Sequence, residues 1–91
     1  MNKPILYIKS SCPWCQDALS FFKSHSVTLE IKDVLMNPSD MGYMQEASGQ
    51  NLTPTFVYED CVIADFSVDE FKAAIKDFPE VMAKIGLSLN Q

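Results

Sequence analysis

The chain opens on a short apolar run, Ile5-Leu6-Tyr7-Ile8-Lys9, bounded by Pro4 and by Ser10-Ser11. A continuous β-rich run of this length predicts a strand buried on both faces. From Pro13 the period lengthens. Cys15, Ala18, Leu19 and Phe22 recur at helical spacing, and Pro13 suits a first turn, so a helix is predicted from Pro13 to Ser24 or His25. Val27, Leu29 and Ile31 then alternate with Thr28, Glu30 and Lys32, predicting a second strand that ends at Asp33-Val34. Asn37 and Pro38 read as the N-cap and first position of a second helix. Met41, Met44 and Ala47 form its apolar face, Gly42 weakens its interior and Gly49 stops it.

After the loop Gly49-Gln50-Asn51, the runs Thr55-Phe56-Val57-Tyr58 and Cys61-Val62-Ile63-Ala64 flank Glu59-Asp60 and predict a hairpin. A last helical pattern puts Val68, Phe71, Ile75 and Phe78 on one face, with Pro79 breaking it or opening a short terminal helix that ends at Gly86. The predicted order is β-α-β-α-β-β-α with a short C-terminal helical extension. Right-handed crossovers make the first pairing parallel and the hairpin supplies antiparallel strands, so an α/β domain with a four-stranded mixed sheet flanked by helices is expected. Together with the cysteine pair discussed below, this order points to a thioredoxin-like fold.

Composition narrows the function more than the fold. At 91 residues, nearly half of them apolar, the chain is expected to form one domain over 1–91. Twelve acidic against seven basic residues, without a basic patch, argue against a nucleic-acid partner. The opening apolar run is too short for a signal peptide and no span approaches a membrane helix, so a cytoplasmic monomer with no membrane partner is expected. Three cysteines, only two of them close together, do not make a secreted disulfide framework.

Those two carry the chemistry. Cys12-Pro13-Trp14-Cys15 lies where a strand hands over to a helix, so Cys12 faces unpaired backbone amides and the positive end of the helix dipole. An exposed cysteine titrates near pKa ~8.5, whereas cysteines in such settings reach roughly 3.5 to 7.5. Each tenfold gain in thiol acidity requires about 1.4 kcal/mol of preference for thiolate, within reach of a helix terminus and a nearby cation such as Lys9. Cys12 is therefore the expected nucleophile and Cys15, one turn into the helix, the resolving thiol. Pro13 stiffens the turn and Trp14 offers an apolar flank. Pro54, opening a strand, marks a shaped turn, and a cis Thr53–Pro54 bond would direct the Thr53 backbone toward a bound peptide or thiol.

Other classes remain open at this point. Paired cysteines also bind zinc, but only Cys61 and His25 remain to complete a ligand set, and no metal site is expected. Cys61 reads as a small buried apolar residue, and His25 as an exposed group favourable at a helix C-terminus. The chain could alternatively serve as a redox-inactive binding module or a small metal- or iron-sulfur-binding protein; an intact dithiol weighs against both.

The run from Ile5 through Phe71 resembles the glutaredoxins. Tyr7-Ile8-Lys9-Ser10-Ser11-Cys12-Pro13-Trp14-Cys15 is similar to their strand, lysine and dithiol motif, and Thr53-Pro54 stands where they place a cis-proline pair. The resemblance implies a thiol-disulfide oxidoreductase with no tightly bound cofactor. Its co-substrate would be glutathione, held by Lys9, Trp14, Thr53 and the segment before the last helix, and its substrates would be disulfide-containing or glutathionylated proteins. Where the family carries Gly-Gly followed by an acidic residue, this chain reads Ala64-Asp65-Phe66-Ser67-Val68. That segment is more similar to redoxins recharged by a thioredoxin-reductase-type donor. Ser67 and its amide, at a helix start, are expected to be open to a carboxylate.

Overall fold

The computed structural model describes residues 3–89. Strand β1 (Ile5–Ile8) leads into helix α1 (Pro13–Ser24), followed by strand β2 (Glu30–Asp33) and helix α2 (Pro38–Ser48). The hairpin strands β3 (Thr55–Tyr58) and β4 (Cys61–Ala64) come next, then helices α3 (Val68–Ile75) and α4 (Pro79–Ile85). The sheet order is β2-β1-β3-β4. Strand β1 runs parallel to β2 and antiparallel to β3, and β3 antiparallel to β4, which is the mixed sheet the element order predicts. The α1 crossover is what lets β1 and β2 run parallel, and the tight turn at Glu59-Asp60 joins the hairpin.

Being central, β1 is covered on both sides. Leu6 and Ile8 belong to the larger core with Phe22 of α1, Phe56 of β3, and Phe71 and Ile75 of α3. Tyr7 joins a smaller cluster with Val34 and Met44 of α2. The rings of Phe22, Phe56 and Phe71 are fully buried and lie 5.0 to 5.8 Å apart between centroids. Aromatic pairs at such separations add about 0.5–1.5 kcal/mol each beyond their burial. This cluster locks α1 and α3 against the sheet and so fixes the height at which the N-terminus of α1 emerges above the end of β1.

Several local expectations are corrected. Strand β2 begins at Glu30 and not at Val27. Val27 reaches the core from the turn after α1, where Ser26 is left-handed (φ 58°) and the Val27 amide donates to the Phe22 carbonyl at 2.9 Å. Ile31 pairs with Leu6 but lies on the edge strand and is 52% exposed, because no further strand covers it. Ala47 is exposed on α2. The Asn37 side chain makes no cap, and the Asp33 carboxylate instead accepts from the Leu35 and Met36 amides at 2.9 and 3.2 Å. Helix α3 stops at Ile75, so Phe78 is the residue before α4, with Pro79 at its first position. His25 is half-buried, its ring 4.6 Å from that of Phe21.

Candidate active site

Cys12 is the N-cap residue of α1, with extended backbone (φ −86°, ψ 116°) and Pro13 at the first helical position. Proline forfeits only an amide that would lack an intrahelical acceptor there. The Cys12 carbonyl accepts the first helical bonds, from the Cys15 and Gln16 amides at 3.1 and 3.2 Å, while its own amide donates to the Lys9 carbonyl at 3.0 Å. These bonds aim the Cys12 side chain back across the helix end, half-buried, with Cys15 fully buried one turn on.

The two thiols are driven in opposite directions. Burial pushes Cys12 up, but hydrogen bonds from the Cys15 thiol and amide, the Thr53 side chain and the Trp14 amide outweigh it and leave Cys12 below the ordinary thiol range. For Cys15 burial dominates, and despite help from Thr53 and the Lys9 amide its thiol is held above that range. Cys61 is also raised, by burial and then by the Glu80 charge. The protonated Cys12 thiol donates weakly to the Thr53 carbonyl at 3.8 Å, a contact that ionisation removes. The Lys9 ammonium is not among these stabilisers; it donates to the Asn51 carbonyl at 3.3 Å.

The Thr53–Pro54 peptide is cis, and both residues are buried. A compact network holds this turn. Gln50 Nε2 donates to Thr55 Oγ1 at 3.0 Å and to Ser48 Oγ at 2.8 Å, while Gln50 Oε1 accepts from the Leu52 amide at 2.7 Å. Thr55 Oγ1, fully buried, donates to the Leu52 carbonyl at 2.8 Å. From the other side the Asp65 amide donates to the Pro54 carbonyl at 2.9 Å, with Asp65 itself left-handed at φ 53°.

Trp14, 57% exposed, forms one wall of an open groove of about 500 Å³ whose other lining residues are Asp65, Phe66, Ser67 and Glu70. Phe66 is the buried floor. Here the sequence expectation needs correction. The Ser67 amide is not open to an external carboxylate, because it donates to Glu70 Oε1 at 2.8 Å, while Ser67 Oγ accepts from the Glu70 amide at 3.2 Å. This is a complete capping box at the start of α3.

The structure therefore brings Cys12, Cys15, Thr53 and Pro54 together, sets Trp14, Asp65, Phe66 and Ser67 around the adjoining groove, leaves Pro13 exposed at the helix tip and turns Lys9 toward the 50–54 loop. Sequence reasoning missed Glu70, although Ser67-Val68-Asp69-Glu70 carries the capping-box spacing. It also missed Gln50 and Thr55, whose partners are set by tertiary placement and leave no local signal. Among the described residues, no three His, Cys, Asp or Glu side chains gather as a metal site, and no helix is long and apolar enough to cross a membrane.

The Glutaredoxin family model matches residues 5–63, stopping just before the divergent Ala64-Asp65. Glutaredoxin-1 of Gallus gallus is 29% identical over 89 residues, covering 93% of this chain and 85% of that protein. Among solved structures, a mutant of the thioredoxin-like protein BC3987 superposes with a TM-score of 0.72 at 25% identity, over 84% of this chain and 97% of the other. A wheat glutaredoxin superposes with a TM-score of 0.70 at 16% identity, over 96% and 85% of the two chains, a likeness of fold alone. The family match runs through the strand that delivers Cys12 and the turn that carries Pro54, on a shared thioredoxin-like scaffold, and this chain accordingly belongs to the glutaredoxin family of thiol-disulfide oxidoreductases.

Proposed function

We propose that the chain reduces protein disulfides and mixed disulfides with Cys12 as nucleophile and Cys15 as resolving thiol. The observation that carries this reading is geometric: Cys12 stands half-buried at the N-cap of α1 against the cis Thr53–Pro54 turn, with Cys15 fully buried one turn on. The opposed displacement of the two thiols, Cys12 below and Cys15 above the ordinary range, agrees with it. The Cys12 thiolate attacks one sulfur of the substrate disulfide, the S–S bond breaks, and the departing sulfur leaves as a thiolate that takes a proton from solvent. A mixed disulfide now joins Cys12 to the substrate. Cys15 loses its proton, attacks the Cys12 sulfur and expels the second substrate thiol, so two electrons pass to the substrate and a Cys12–Cys15 disulfide remains. A deprotonated but too stable thiolate would be a poor nucleophile, so a moderate lowering at Cys12 serves attack best.

Thr53 and Pro54 shape the surface against which the substrate sulfur docks, and Trp14 flanks it. In this reading two electrons from glutathione, or from a thioredoxin-reductase-type donor, restore the dithiol. The occupied Ser67 amide and the Asp65 carboxylate support inefficient use of glutathione, which itself carries two carboxylates. The experiment is a turnover assay on a disulfide substrate, run once with glutathione, its reductase and NADPH, and once with thioredoxin reductase and NADPH. Turnover in at least one arm that disappears in Cys12→Ser is expected. No turnover in either arm, with the cysteines fully reduced at the start, contradicts the reading.

A further inference from the structure

We infer that the groove beside Cys12 selects disulfide partners that carry positive charge next to the reacting cysteine, with Asp65 and Glu70 as its specificity-determining residues. The inference rests on the thiol-disulfide reading above and names the substrate class of that site. A substrate sulfur must approach Cys12 past Thr53. The groove begins within two links of that point, since Trp14 follows Cys12 by two residues and the Asp65 amide is bonded to the Pro54 carbonyl at 2.9 Å. Residues flanking the substrate cysteine therefore lie along it.

Its wall chemistry has one sign. Asp65 and Glu70 line it and no lysine or arginine does. Among the described residues the ion pairs are Lys32 with Glu30 and Lys84 with Glu59, so neither groove carboxylate is matched by a protein cation. The capping box ties Glu70 Oε1 to the Ser67 amide, which pins that carboxylate in the groove and fills the helix terminus that an anionic ligand would otherwise use. The exposed indole of Trp14 faces the same space. Carboxylates beside an indole face suit a guanidinium or ammonium, which gains from the charge and from the ring. An acidic segment meets like charge there.

The test uses two disulfide-linked homodimeric peptides, one with arginine and one with glutamate on both sides of the cysteine. Reaction with the reduced protein is followed by the fluorescence of Trp14, the sole tryptophan, and each rate is divided by that of the same peptide with dithiothreitol to remove intrinsic reactivity. At low salt the arginine peptide is expected to react about tenfold faster after this correction, a gap that narrows as salt rises. In the double variant Asp65→Asn, Glu70→Gln the ratio is expected to fall to about twofold or less, because glutamine keeps the capping box and removes the charge. Glu46→Gln with Asp77→Asn changes the net charge equally and is expected to keep the ratio. Equal rates for the two peptides, or equal loss in both double variants, overturn the inference while leaving disulfide exchange intact. Reaction with neither peptide overturns the thiol-disulfide reading itself.

Discussion

The largest influences that lower Cys12 are donors close to its sulfur. Burial alone would keep it protonated; the Cys15 thiol and amide, the Thr53 side chain and the Trp14 amide reverse that. Removing one of these donors has a signed consequence. Cys15→Ala deletes the thiol hydrogen bond, so the pH midpoint of Cys12 alkylation is expected to move upward, and Cys15→Ser, whose hydroxyl can still donate, to move it less. Cys15→Ser should also trap a stable mixed disulfide on Cys12, seen by mass spectrometry as the protein plus one substrate chain. Lys9 tests the opposite case. Its ammonium donates to the Asn51 carbonyl, so Lys9→Gln is expected to leave the Cys12 midpoint nearly in place. A clear rise would restore Lys9 to the role its spacing from Cys12 first suggested.

Two elements carry the site, the start of α1 and the turn between α2 and β3, and the second depends on a polar network around the buried Thr55. Thr55→Val keeps shape but removes one of the two acceptors of the Gln50 amide, which keeps Ser48, and the donor to the Leu52 carbonyl, a loss of about 0.5–1.5 kcal/mol per bond. In a domain of this size each kcal/mol lowers the melting temperature by about 4–8 °C, which calorimetry reads directly. Ser67→Ala breaks the capping box at α3 and is expected to cost about 0.5–2 kcal/mol by the same measurement. How far the elements were legible follows from the same physics. Strand β1, helix α1 and the hairpin announce themselves because their residues are buried by neighbours that the period anticipates. Strand β2 does not, because at the sheet edge burial no longer follows alternation: Ile31 stays exposed while Val27, outside the strand, is buried. The placement of Cys12 at the start of α1 with Cys15 one turn on was legible from spacing alone, whereas the Gln50 network and the closure of the Ser67 amide by Glu70 depend on side-chain directions that a periodicity does not encode.

Across the whole molecule the formal charge of −5 and the acidic groove act in the same direction on the recharging step. A small anionic thiol would meet repulsion at long range and find the Ser67 amide already bonded to Glu70. One lost charge-assisted contact of about 1.5–3 kcal/mol amounts to roughly ten- to a hundredfold in affinity. Ala64→Gly, Asp65→Gly and Val68→Asp together restore the pattern of the wider family, and position 65 already has a backbone suited to glycine at φ 53°. This triple variant is expected to raise kcat/KM for glutathione-dependent turnover by about tenfold. No gain, with parent kinetics already efficient, would mean that glutathione avoids the 65–67 segment altogether. The expectations about disulfide exchange depend on one asymmetry between neighbouring sulfurs. It is measured most directly by alkylating the reduced protein across a pH series and locating the label by peptide mass spectrometry. Cys12 is expected to react first, with a midpoint clearly below the ordinary thiol value of about 8.5, while Cys15 and Cys61 stay unlabelled until the pH is well above it. Labelling of Cys15 as fast as Cys12, or a Cys12 midpoint at the ordinary value, would contradict the assignment of Cys12 as the attacking thiolate.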